Sequence, residues 1–182
     1  MITQSILHDD MNSHTLPIIR LRALEPEDLD MLYKIENDYQ LWGVGATNVP
    51  YSRYALHDYI AHASNDIYTD QQVRLIVENE DGEAIGIADL TNFDPRHRRA
   101  AVGLVIMHQY RCRGYGQAVL MDMCRYARHM LNLHQLYAVI ATDNQQSLRL
   151  FNKCGFDEMA TLKDWLLYGK EYKDSVIMQF IL

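Results

Sequence analysis

A chain of 182 residues with 48% hydrophobic and 23% charged side chains has the make-up of one soluble globular domain, long enough to bury about 70% of its unfolded surface. A net charge of −7 argues against a general nucleic-acid binder, and no apolar run is long enough to span a membrane. Three cysteines without metal or redox spacing point to a reducing, cytoplasmic compartment; of the eight histidines, His57/His62 and His129/His134 stand five apart, off any common helix face, so no metal is expected.

Residues 1–15 carry Asp9 and Asp10 but no apolar run, and read as a flexible leader rather than a signal peptide. Residues 16–182 read as one domain. Pro17 to Arg22 alternates as a strand. Glu25-Pro26-Glu27-Asp28 starts a helix, with proline in the first turn and acids at the positive end. Leu41 to Pro50, with Gly43 and Gly45, is a loop, and Ser52 N-caps a second helix through Ile60. Gln72–Glu78 and Ala84–Asn92 are strands joined by Asn79-Glu80-Asp81-Gly82, a tight-hairpin signal. Asp94-Pro95 breaks the next connection, and Arg98–Met107 is a further strand. Gln117 to about Leu131 is helical by its 3–4 apolar spacing. Leu136–Ala141 is a short apolar strand. Asp143 or Asn144 caps a helix holding Leu148, Phe151 and Cys154, which Gly155 ends before Phe156. Ala160–Tyr168 and Tyr172–Leu182 form a strand pair. The order β-α-α-β-β-β-α-β-α-β-β predicts an α/β domain with a mixed sheet.

Function-bearing chemistry concentrates in Gln109-Tyr110-Arg111-Cys112-Arg113-Gly114-Tyr115-Gly116, between a buried strand and a helix. The first amides of a helix lack internal acceptors and carry partial positive charge, so a basic, glycine-containing loop there forms an anion site. Gly114 and Gly116 remove side chains where a phosphate approaches the backbone, and Arg111 and Arg113 add full charges. A phosphate-bearing ligand follows.

Arg111-x-x-Gly114-x-Gly116, after an apolar strand and opening a helix, resembles the acetyl-CoA diphosphate loop of the GNAT N-acetyltransferases. About thirty residues on, Asn144-x-x-Ser147-Leu148-x-Leu150-Phe151-x-Lys153-x-Gly155-Phe156 is similar to the family segment that runs along the pantetheine arm. The resemblance covers about residues 17–182. Ile19-Arg20-Leu21-Arg22, Pro50-Tyr51-Ser52, His97-Arg98-Arg99-Ala100 and Leu131-Asn132-Leu133 resemble the branch of ribosomal-protein N-terminal acetyltransferases and spermidine N-acetyltransferases. The resemblance implies a mixed, mostly antiparallel twisted sheet flanked by helices, with a splayed pair of central strands, and acetyl-CoA as cosubstrate. It implies that the amides of Cys112, Arg113, Gly114, Tyr115, Gly116 and Gln117 cradle the diphosphate. The backbone of Leu104, Val105 and Ile106 would pair with the pantetheine, and an amide at Leu104 or Val105 would polarise the thioester carbonyl. Asn144, Ser147, Phe151 and Lys153 fall on the coenzyme side, although Asn144 also suits a helix cap and Lys153 a solvated surface.

Phe151 departs from the family, where many members carry a tyrosine thought to protonate the leaving thiolate. Water, Tyr115 or Tyr172 are substitutes, or the chain is a catalytically weak CoA-binding sensor or partner module. Asp89 shares parity with Ile85 and Ile87 on a packing face and is the leading candidate for base and amine contact, with Asp143 as alternative. Glu36 is a candidate for a cationic substrate. The spermidine enzymes carry an acidic cluster between the first two helices; Gly43 to Asn48 has no acid. A polyamine, a protein N-terminus and another small amine therefore all stand. A homodimer or larger homo-oligomer is expected from the family.

Overall fold

The computed structural model describes residues 16–39, 41, 49–64 and 66–182. The leader and the Gly43–Asn48 stretch lie outside them. Seven strands form one sheet: β1 (Ile19–Ala23), β2 (Val73–Asn79), β3 (Ala84–Asp94), β4 (Arg99–Ile106), β5 (Gln135–Ala141), β6 (Asp157–Tyr168) and β7 (Glu171–Ile181), in the order β1-β2-β3-β4-β5-β7-β6. Every neighbouring pair is antiparallel except β4 with β5. Helices α1 (Leu29–Glu36), α2 (Arg53–His62), α3 (Ile67–Asp70), α4 (Tyr115–His129) and α5 (Gln145–Lys153) complete the domain.

The two faces of the sheet bury different residues. Val77, Ala88, Leu90 and Val102 pack with Val119, Leu120 and Met123 of α4 and Leu148 and Phe151 of α5. On the other face Ile76 and Ile87 pack with Ile35 of α1. Ile85 departs from the parity read in the sequence. The β2–β3 register slips at Val77/Glu78, and this bulge turns Ile85 into the α4-side core while Ile87 stays on the α1 side.

Local signals hold at several ends. The Ser52 Oγ accepts the Ala55 amide at 3.0 Å. Gly155 takes φ +88°, and the Phe156 amide donates to the Phe151 carbonyl at 3.1 Å, closing α5. Helix α4 starts at Tyr115, two residues before the periodic pattern suggests, because Gly114 at φ +87° is its N-cap and Tyr115 is already buried. The short α3 has no counterpart in the sequence reading; its capping residue Asp66 takes the Tyr68 amide at 3.0 Å.

β4 and β5 pair only through Arg99–Ala101 with Gln135–Tyr137. Beyond that β5 follows β7 along its whole length, while β4 stays with β3. The central sheet therefore splays at this pair.

At the other end of the sheet, Arg22 donates to Asp28 at 2.6 and 2.8 Å and to Glu78 at 2.5 Å, and the Glu25 amide donates to Asp28 at 2.9 Å. Burial alone would raise the Asp28 pKa; the Arg22 and Glu25 hydrogen bonds outweigh it and hold the carboxyl below its ordinary value. The unfolded chain thus takes up this proton first as pH falls. The stabilisation is complete above about pH 4–5 and is lost as pH drops through the folded-state value. Asp28→Asn is expected to lose roughly 1–3 kcal/mol at pH 7, and its gap from the parent should begin to close below about pH 5 and keep narrowing as pH falls through the folded-state value in urea titrations. A constant gap over that range would remove the assignment.

Candidate active site

After β4 the chain makes a single turn at His108–Tyr110 and enters α4 through Arg111–Gly114. Cys112 at φ +60° and Gly114 at φ +87° are left-handed, and this turns successive amides to one side. Among the described residues no carbonyl accepts the amides of Cys112 to Gly116. Gln117 and Ala118 both donate to the Gly114 carbonyl at 3.1 Å, so the Gln117 amide, counted in the cradle from sequence, is already committed. The fifteen-residue α4 adds its dipole at the same point. These open amides fit a diphosphate.

The loop's side chains divide by role. Arg111 Nε donates to the Ile106 carbonyl at 2.8 Å and ties the loop to the end of β4. Arg113 lies 5.9 Å over the Tyr110 ring, whose hydroxyl donates to Glu83 at 3.0 Å. The Tyr115 ring is buried, edge-on to Tyr110 at 6.3 Å, so only its amide faces a ligand. The two glycines differ from the sequence reading. A Cβ on Gly114 would come 3.0 Å from Pro17 Cδ, and one on Gly116 would come 3.1 Å from Leu150 of α5. Their missing side chains admit the chain's own residues; what they leave for a ligand is the amide.

Backbone parity fixes what faces the splay. The Arg98 carbonyl accepts the His134 amide at 2.7 Å on the β5 side, and the Ile106 carbonyl turns away from β3 to accept Arg111. Peptide groups alternate along a strand, so those of Val102, Leu104 and Ile106 point into the gap where β5 has departed. Val105 lies in the β3 ladder opposite Ile87. Of the two amides considered from sequence, that of Leu104 faces the gap.

On the α1 face, Asp89 lies directly opposite Gly103 of β4 and Arg74 of β2. Arg74 donates to both Asp89 oxygens at 2.8 and 2.9 Å and to Glu36 at 2.5 Å, with the Tyr59 ring 5.8 Å away. Burial works against the charged guanidinium, but the Asp89 hydrogen bonds, then the Asp89 and Glu36 charges, raise its pKa further above normal. Asp89 is therefore a paired carboxylate, held by Arg74 on both oxygens. Sequence reasoning did not single out Arg74. The available signal was a cation within Val73-Arg74-Leu75-Ile76-Val77, sharing parity with buried Ile76 and lying across a recognised hairpin from an acid.

At α5, Asn144 Oδ1 accepts the Ser147 amide at 3.1 Å as a helix cap. Phe151 is buried against Phe156 at 4.9 Å, and Lys153 is exposed. Asp143 pairs with Lys173. Tyr172 is exposed on the β6–β7 hairpin. Burial pushes the Cys124 thiol up to about 12 and the Cys154 thiol to about 11, so neither is a thiolate at neutral pH. No group of described side chains could hold a metal ion, and no described helix is long and apolar enough to cross a membrane.

A gap that exposes one edge of β4, with an amide-lined anion cradle at its foot, suits an extended amide-bearing arm ending in a diphosphate, the layout of a coenzyme A acyltransferase. Residues 19–157 match the family model described as acetyltransferase (GNAT) domain, and the chain belongs to that family. It is an N-acetyltransferase that takes its acetyl group from acetyl-CoA. The spermidine N(1)-acetyltransferase of Vibrio cholerae serotype O1 is 26% identical over 157 residues, 86% of this chain and 88% of that protein. A crystal structure of spermidine N-acetyltransferase from Vibrio cholerae in complex with CoA and spermine superposes with a TM-score of 0.80 at 25% identity, covering 90% of this chain and 95% of that one. A dodecameric structure of spermidine N-acetyltransferase from Vibrio cholerae gives 0.76 at 25% identity, covering 90% and 93%.

Proposed function

We propose that residues 16–182 form one transferase domain that acetylates a primary amine of the polyamine class by direct attack. The observation that carries this reading is the gap beyond Ala101, open at the Leu104 amide and flanked by the Asp89 carboxylate. The diphosphate of acetyl-CoA rests on the Cys112–Gly116 amides beside Arg113. Its arm runs along Leu104–Ile106, with Asn144, Ser147 and Phe151 on the α5 side and Lys153 at the rim. The polyamine class is supported by the two carboxylates, Glu36 and Asp89, and by the spermidine acetyltransferases among the relatives.

The deprotonated amine nitrogen bonds to the thioester carbonyl carbon. The electron pair moves to the carbonyl oxygen, which the Leu104 amide holds. The carbon–sulfur bond then breaks, leaving an acetamide and the coenzyme thiolate. With a thiol pKa near 8.5, that thiolate leaves without a strong acid, which suits phenylalanine at position 151. Asp89, with Arg74 on both oxygens, orients the incoming ammonium, and the proton departs through water. No acyl-enzyme is involved, in keeping with the high pKa of Cys124 and Cys154. The free cysteines suit a cytoplasmic protein, and the exposed Met159, Trp165 and Leu167 on edge strand β6 suit a homodimer or larger assembly.

The test is amine-dependent release of free thiol from acetyl-CoA, run with spermidine, spermine, peptides and amino sugars alongside calorimetry of CoA binding. Turnover with spermidine is expected. CoA binding without turnover on any amine would favour a second reading, a coenzyme-binding sensor module, to which Phe151 lends support. No CoA binding would end both. Phe151→Tyr is expected to raise kcat by up to about tenfold at pH 7, with the gain shrinking as pH rises past the thiol pKa.

A further inference from the structure

Gly103 is the first residue of the α1 face of β4 beyond its last pairing with β5. It is exposed, and a Cβ built on it would meet no described atom within 4 Å. It is not among the glycines with positive φ. Glycine within a strand is destabilising relative to alanine. Neither backbone geometry nor packing therefore calls for glycine here, in contrast to Gly86, where a Cβ would collide with the Val105 carbonyl, and to Gly114 and Gly116, where it would crowd Pro17 and Leu150.

What surrounds that space is specific. Asp89 lies directly opposite on β3, on the same face. Extending the Ala101–Tyr137 register by two residues brings Val139 of β5 level with Gly103 across the gap. Val139 is 39% exposed, whereas its neighbours Ala138 and Ile140 are buried on the α4 side. The next amide along β4 is that of Leu104. The space over Gly103 thus has a carboxylate on one side and opens on the other toward the departing β5, where Val139 is the exposed aliphatic residue, next to the amide that holds the thioester oxygen.

We propose that Gly103 is a specificity-determining residue that forms the floor of the acceptor slot. This rests on the acetyltransferase reading of the same gap. The slot takes an aliphatic primary amine end-on, its ammonium toward Asp89 and its methylenes along Val139. The missing side chain at Gly103 sets the depth to which the amine nitrogen reaches the thioester carbon. Deleting a side chain here trades strand stability for access.

The test compares Gly103→Ala and Gly103→Leu with the parent. Readouts are kcat/KM for spermidine and for a peptide amine, the Kd for acetyl-CoA, and the melting temperature. Gly103→Ala should lower acceptor kcat/KM about tenfold and Gly103→Leu at least about a hundredfold, a one- to several-carbon intrusion into a fitted pocket. Acetyl-CoA affinity should stay within about twofold. The melting temperature of Gly103→Ala should be unchanged or higher. Should Gly103→Leu fail to fold, Gly103→Ala alone decides, by a loss confined to acceptor kinetics. Unchanged acceptor kinetics in a folded variant would overturn the inference, as would an equal loss of acetyl-CoA binding, which would put the residue on the coenzyme side. Failure of the parent itself to bind acetyl-CoA would instead strike the proposed function.

Discussion

Gly86→Ala is expected to distort the native packing of β3 on β4. A Cβ at position 86 falls 2.2 Å from the Val105 carbonyl oxygen and 3.2 Å from the Ile106 Cα, both backbone atoms of the neighbouring strand. A flexible side chain could swing aside. A carbonyl inside a ladder cannot move without breaking the hydrogen bonds that hold Gly86 opposite Ile106 and Ile87 opposite Val105. Overpacking against backbone costs roughly 2–4 kcal/mol, a large share of the ~5–15 kcal/mol that holds a domain together. At about 2–4 °C per kcal/mol for a chain of this size, the melting temperature should fall by roughly 5–15 °C. The functional loss should be larger than the stability loss alone implies. Shifting Val105 tilts the adjoining Leu104 amide out of the gap and pulls Ile106 from the Arg111 brace. Calorimetric melting and acetyl-CoA titration of the same preparation check both. A melting temperature within about 2 °C of the parent would contradict the close approach.

Arg74→Met should be the second severe change. It takes the guanidinium away from both Asp89 and Glu36, whose side chains are only 21% and 16% exposed. Removing one partner of a buried ion pair costs about 3–5 kcal/mol; with Arg74 itself 24% exposed, about 2–3 kcal/mol is the expected loss at pH 7. The pH dependence gives the physical signature. A half-buried Asp89 carboxylate that has lost its cation favours its neutral form, so the penalty is felt at neutral pH and eased on acidification. The variant should therefore recover relative to the parent on acidification, measured by urea unfolding. Arg74→Lys should restore only part of the loss, because an ammonium cannot bridge both Asp89 oxygens as the planar fork does. A loss independent of pH would point to lost packing instead.

Much of the site was readable because its signals are local. An arginine-flanked glycine loop between an apolar run and a periodic helix announces an anion cradle, since unpaired amides at a helix start are a property of a few consecutive residues. Ser52, Gly155-Phe156 and Asn144 were legible for the same reason: a cap is a contact over two to four positions. Strand parity picks out Asp89, and half of that parity holds in the fold. Its link to Ile87 survives, but the bulge opposite Val77/Glu78 moves Ile85 to the other face, and alternation in one strand cannot reveal a register slip against another.

The sequence by itself determined an α/β chain with an amide-lined phosphate cradle, because amide orientation, capping and apolar period are all set within short stretches; acetyl-CoA as the ligand came from the resemblance to the GNAT family. Only the tertiary structure decided which groups stand free in the site. The Gln117 amide is consumed by Gly114, the Gly116 vacancy is filled by Leu150, and Asp89 is clasped by Arg74 from a strand fifteen residues away. The gap itself comes from β5 pairing with β7 along its full length after leaving β4 at Ala101. Each of these depends on which distant segment arrives alongside, and that competition among partners is resolved only when the whole sheet assembles.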